Sequence, residues 1–134
     1  MPDPRPRHDG PLRVLVVDAD DRVRESLSGL LVIGGRCVVV GSAGQPGPAL
    51  DLALACRPDV VVVDPRLPEV DGGMAFIARL RTLSPDVRIL AMSWSDTLEA
   101  AVIESGADGF VRKTFRPTEL VGAVVAAASE SDAA

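Results

Sequence analysis

Four consecutive valines, Val60–Val63, constrain the fold of this chain more than any other stretch. A strand with one face in water alternates apolar and polar residues. A run without alternation wants burial on both faces, as in the centre of a parallel sheet. Parallel neighbours cannot be joined by a tight hairpin and need crossovers long enough for a helix. The rest of the chain must therefore supply helices between short strands, and its pattern does so.

A first strand is expected at 12–17. After it, Val23, Leu27, Leu30 and Leu31 recur at helical spacing along one face. Asp20 or Asp21 can cap the start of that helix, and Gly34-Gly35 stops it. A second strand is expected at 37–40, then a weak helix at 48–56, where Pro48 fits only near the first turn. Beyond the valines, Phe76, Ile77, Leu80 and Leu83 mark a third helix face. A fourth strand at 87–92 leads to a fourth helix, with Asp96 as its cap and Glu99 three residues later, as in a capping box. A fifth strand is expected at 109–112. Pro117 opens a last helix striped by Leu120, Val121, Val124, Val125 and Ala128. Right-handed crossovers then put helices on both faces of one sheet. The expected fold is α/β, a flavodoxin-like doubly wound (βα)5 parallel sheet of strand order 2-1-3-4-5.

A chain of 134 residues, 47% of them hydrophobic, suits one domain with a sizeable core. Its formal net charge is −5, and Lys113 is its sole lysine. That balance disfavours direct nucleic-acid contact, which asks for clustered cations. No run approaches the ~18 apolar residues of a membrane helix, and no targeting segment is legible. A cytoplasmic location is expected. Residues 1–11 read as a disordered leader that includes His8, 12–128 as the domain, and 129–134 as a polar tail or the start of a linker. Cys37 and Cys56 lack a CxxC spacing or a His partner. They read as buried reduced thiols, with a disulfide as the alternative.

In doubly wound sheets the site lies beyond the carboxyl ends of the strands. Asp18 ends the first strand, Asp64 the third and Ser93 the fourth, and Lys113 follows the fifth. Two carboxylates can hold a hard divalent cation such as Mg2+. A carboxylate can also be a nucleophile toward phosphorus. The charge of a transferring phosphoryl group needs a cation, a lysine and a hydroxyl or amide donor around it. Each residue also has a plainer reading: Asp18 as a helix cap, Asp64 and Ser93 as turn residues, Lys113 as a surface lysine, Phe110 and Trp94 as packing groups.

The stretch Pro58-Asp59-Val60-Val61-Val62-Val63-Asp64-Pro65-Arg66-Leu67-Pro68-Glu69-Val70-Asp71-Gly72 resembles the phospho-acceptor segment of response-regulator receiver domains, in the style of LuxR/NarL-type regulators. Gly106-Ala107-Asp108-Gly109-Phe110-Val111-Arg112-Lys113 is similar to a second signature of that family. The resemblance covers about residues 12–128. It implies a two-component signalling module rather than an enzyme. Asp64 would accept phosphate from a histidine kinase or a small phosphodonor. Asp18, Asp64 and the backbone carbonyl of Arg66 would hold Mg2+, Lys113 would pair with the phosphoryl group, Ser93 would be the switch hydroxyl, and Phe110 the aromatic that turns inward with it. It further implies signalling, and a possible homodimer, through the face of the fourth helix, fifth strand and fifth helix. A DNA-binding output domain would lie elsewhere, in the same protein or a separate one.

The chain departs from the family in ways that bear on the metal. Two adjacent acids usually follow the first strand, and here the pair is Asp18-Ala19. Mg2+ binding should be weak for lack of that acid, with Asp20 or Asp21 as the candidate replacement. Pro65 stiffens the acceptor loop, and Trp94 is a bulky neighbour for the pocket mouth. The stretch from Ser93 to Lys113 is slightly short. These departures support an alternative: a pseudo-receiver that binds no Mg2+, takes no phosphate and serves as a dimerisation or ligand-sensing module. An enzyme or flavin carrier on the same architecture lacks its phosphate loop, because Asp18-Ala19-Asp20-Asp21 cannot supply Gly-x-Gly-x-x-Gly.

Overall fold

A computed structural model describes residues 10–129. His8, most of the expected leader and nearly all of the expected tail lie outside them. Five parallel strands alternate with five helices: β1 (Leu12–Val17), α1 (Asp21–Leu31), β2 (Cys37–Ala43), α2 (Pro46–Cys56), β3 (Val60–Val63), α3 (Val70–Leu83), β4 (Arg88–Ser93), α4 (Glu99–Ser105), β5 (Gly109–Arg112) and α5 (Pro117–Ser129). The sheet order is β2-β1-β3-β4-β5, as the crossover argument requires.

The valine run behaves as its composition demands. Val61 and Val63 face a core with Leu15, Val17, Ile89 and Ala91, covered by α2, α3 and α4. Val60 and Val62 face a second core with Val14, Val16, Leu90 and Met92, covered by α1 and α5. All four are buried, each contributing about 1.5–2 kcal/mol of hydrophobic stabilisation. β3 thus runs down the middle of the molecule, and Asp64 emerges at its carboxyl end.

Several expected boundaries move. β2 continues past 40 to Ala43, because a register irregularity opposite Val14/Leu15 lets the small residues Gly41, Ser42 and Ala43 stay on the ladder of β1. Such residues lack the β-branched signature that marks a strand in sequence. α2 begins at Pro46 rather than 48, since both prolines fit a first turn whose amides have no intrahelical acceptors. β4 is shifted by one residue. Asp96 does not cap the fourth helix. Ser95 instead caps a 3-10 turn over Asp96–Leu98, its hydroxyl accepting from the Thr97 amide at 3.3 Å, and α4 follows that turn with no side-chain cap of its own. The helix proper, α4, is then only 7 residues long. Leu83, expected in the core, is exposed on the last turn of α3. Gly34 and Gly35 do end the turn after α1, both at positive φ. Cys37 is buried, Cys56 is half-buried, and both are free thiols; burial pushes the Cys37 thiol above its usual pKa against the opposing charge of Arg36.

Candidate functional site

The polar ends of four strands meet at one edge of the sheet. Asp18 follows β1 and its amide bonds back to Ala43; Asp64 follows β3 and its amide bonds back to Val17. Ser93 closes β4 and accepts, through its carbonyl, the backbone N–H of Lys113. The ladders therefore deliver Asp18, Asp64, Ser93 and Lys113 to one place.

Lys113 is the centre of it. Its Nζ lies 2.6 Å from Asp18 Oδ2 and 2.7 Å from Asp64 Oδ2. Its side chain is 2% exposed. The two acids are held alike. Asp18 Oδ1 accepts the amide of Asp20 at 2.9 Å, and Asp64 Oδ1 accepts the amide of Arg66 at 2.8 Å. Each carboxylate thus gives one oxygen to its own loop, two residues on, and the other to the shared ammonium. Burial disfavours the charged lysine, but the hydrogen bonds and charges of Asp18 and Asp64 outweigh it and hold the Lys113 pKa above the ordinary value.

The other expected residues fall around this triplet. Ser93 is buried beside it at the strand end. Phe110 is half-buried on β5, packed against the α2–α3–α4 core and paired in register with Ala91. Arg66 is exposed, its amide on Asp64. Asp20 is used differently: it caps α1, its Oδ1 accepting from the amides of Arg22 and Val23, and it stays exposed. Asp21 is paired with Arg24. Ala19 is half-buried against apolar neighbours. Gly73, in the first turn of α3, lies directly under the Pro65 carbonyl, where any Cβ would collide. Only glycine lets α3 pack this closely beneath the loop that follows Asp64.

A contact at the mouth was not legible in the sequence. The Lys113 ammonium lies 5.2 Å from the centre of the Trp94 ring. That ring packs on Phe115, with centroids 5.5 Å apart and planes tilted by 48°. Arg112 donates to the Trp94 carbonyl at 3.1 Å. The bulk of Trp94 beside Ser93 was the one available signal; nothing marked Phe115.

A family model for the response regulator receiver domain matches residues 14–125. The chain belongs to the response-regulator receiver family. It is 38% identical over 113 residues to the response regulator MprA of Mycolicibacterium vanbaalenii, an alignment covering 83% of this chain and 48% of that protein. The chain spans about half the length of the curated relatives it matches. Among solved structures it is similar to the signal receiver domain of NarL from Mycobacterium tuberculosis, with a TM-score of 0.81, 33% identity, and coverage of 89% of this chain and 97% of that one. It is also similar to a two-component response regulator of the LuxR family from Aurantimonas sp. SI85-9A1, with a TM-score of 0.80, 31% identity, and coverage of 89% and 86%. The five-stranded parallel sheet is the receiver fold.

Receiver domains commonly bind Mg2+, so the donor set of this one is worth weighing. Among the described residues no three acidic, His or Cys side chains cluster as metal ligands. Asp18 and Asp64 converge, Ala19 brings no donor, and Asp20 is committed to its helix. Mg2+ keeps most of its waters and accepts as few as one or two carboxylates. The pair fits such a water-rich ion, sharing its acids with the ammonium already between them. Among the described residues no helix is long and apolar enough to cross a membrane.

Proposed function

We propose that this receiver domain is a phosphorylation switch with Asp64 as the acceptor. The observation that carries the reading is the Lys113 ammonium shared between Asp18 and Asp64 at the carboxyl edge of the sheet. A carboxylate oxygen of Asp64 attacks the phosphorus of a phosphodonor. The new O–P bond forms as the bond to the donor's nitrogen or oxygen breaks, and the leaving group keeps that electron pair. Lys113 lies where it can pair with the incoming phosphoryl oxygens, and Ser93 offers a hydroxyl beside them. Asp18, Asp64 and the Arg66 carbonyl would hold Mg2+, which when bound would neutralise part of the phosphoryl charge. Phosphorylation replaces the single charge of the Asp64 carboxylate with a phosphoryl group of about −1.5 to −2, a net gain of up to about one negative charge and three acceptor oxygens in a site where two acids now share one ammonium. Lys113 and Ser93 are drawn toward it, Phe110 follows on β5, and the α4–β5–α5 face changes shape.

In the cell the donor is a histidine kinase in the cytoplasm. The altered face forms a homodimer or acts on a DNA-binding output domain; the greater length of the relatives leaves room for one. This chain itself makes no nucleic-acid contact in this reading. A pseudo-receiver is the second reading. It is favoured by Ala19, packed against apolar neighbours where a second acid would add a metal donor.

Incubation with acetyl phosphate and Mg2+, read by intact mass, separates the two. Gain of one phosphoryl group by the wild type and none by a folded Asp64→Asn variant is expected. No gain by folded wild type from acetyl phosphate or from a phosphorylated histidine kinase, at any Mg2+ concentration, would transfer the assignment to the pseudo-receiver.

A further inference from the structure

Beside the Lys113 ammonium lies an aromatic contact the phosphorylation reading does not use. Trp94 begins the β4–α4 connection, and Phe115 lies in the β5–α5 connection, two residues beyond Lys113. The two connections and the strand ends they leave are fastened together three times: by the Lys113 amide on the Ser93 carbonyl, by Arg112 on the Trp94 carbonyl, and by the Trp94–Phe115 ring contact. The rings are themselves exposed, Trp94 at 54% and Phe115 at 42%. An exposed aromatic normally gains little by staying put. This one is held by its neighbour ring and by the charge beneath it, since a cation within about 6 Å of an indole centroid is attracted to the face. Lys113 is therefore enclosed: carboxylates on one side, an indole near its head, and almost no water.

We propose that Trp94, stacked on Phe115, is a positioning residue that covers the Lys113 ammonium and sets how readily a phosphodonor reaches Asp64. The inference deepens the reading of Asp64 as acceptor, and its first part stands without it. A donor must approach Asp64 Oδ2, the atom that now faces Lys113. The ring over that ammonium restricts this approach for any donor. A small donor in solution brings no binding surface that could displace the ring, whereas a docked protein does.

The chain is suited to a direct test, because it has one lysine and one tryptophan. Acetylation of the full chain by a sulfonated N-hydroxysuccinimide ester, followed at the Lys113 peptide by mass, reads access to the ammonium. Trp94→Ala should speed it about fivefold or more, and Trp94→Phe should stay close to wild type. Phe115→Ala should fall between, and it carries the test if Trp94→Ala does not give a folded circular dichroism spectrum. Labelling of the folded alanine variants at the wild-type rate overturns the proposal. The same proteins with acetyl phosphate then test the consequence. Faster phosphoryl gain by Trp94→Ala supports it; faster labelling with equal phosphoryl gain removes the effect on donor access. Faster labelling with no phosphoryl gain by either protein refutes Asp64 as acceptor and leaves Trp94 as a cover on Lys113.

Discussion

The two edges of the sheet carry ionic triplets of opposite construction. At the carboxyl edge two acids, Asp18 and Asp64, share one ammonium. At the amino edge two guanidinium groups, Arg81 and Arg88, share one carboxylate, Asp108, at 2.6 and 3.3 Å. The amino-edge triplet is woven into the backbone. Arg81 donates to the carbonyls of Gly106, Pro85 and Val87, and Asp108 also accepts the amide of Ile89. Those bonds join the end of α3, the start of β4 and the turn before β5. At the carboxyl edge, among the described residues, the ammonium bonds to no backbone group; its two acids do, each to its own loop. A charge cluster that ties many carbonyls in place is a clamp. One whose cation is held by side chains, two carboxylates and an indole face, can exchange partners at little structural cost, which is what the proposed switch requires.

The comparison breaks if the two clusters contribute equally to stability. Asp108→Ala leaves two arginines and the Ile89 amide without their acceptor, and is expected to cost about 2–3 kcal/mol in urea unfolding. Asp64→Asn keeps the acceptor for the Arg66 amide and leaves Lys113 paired with Asp18 alone. Its stability should stay within about 1 kcal/mol of wild type. Equal losses in the two variants would make both triplets structural. A smaller effect sharpens the contrast at the metal. Ala19→Asp adds a third acid beside the pair and should tighten Mg2+ binding by about tenfold, read by quenching of the single Trp94; unchanged affinity would show that the loop cannot bring that side chain inward. The smallest effect is in pH. Lys113 has its pKa raised by folding, so the folded state holds this proton more tightly than the unfolded chain. Its contribution is fully present below the unfolded value of about 10.4 and is lost as pH rises through the higher folded value. The difference in stability between wild type and Lys113→Met should be flat from neutral pH to about 10 and shrink above it. The arginine clamp should show no such step, because guanidinium stays charged throughout.

Much of this is legible in the sequence. The unalternating valines placed β3 in the centre, the helical stripes placed the two cores, and the ends of the strands named Asp18, Asp64, Ser93 and Lys113. Those inferences worked because hydrophobic periodicity is a local record of burial. The boundaries of β2 and α4 were not legible, since Gly41, Ser42 and Ala43 carry no strand signal and Ser95 and Asp96 are equally good caps on paper.

What only the tertiary structure decided is how the polar groups are spent. Sequence left Asp20 free to be a metal ligand or a cap; the start of α1 needs its carboxylate, and the structure uses it there. Sequence left Asp108 as an unassigned position in a family signature; the fold brings it between two arginines from α3 and β4. Trp94 and Phe115 stand far apart along the chain and meet only because β4 and β5 are neighbours in the sheet. Hydrophobic burial is written residue by residue, whereas a hydrogen bond or ion pair has a choice of partners that only the folded chain brings within reach.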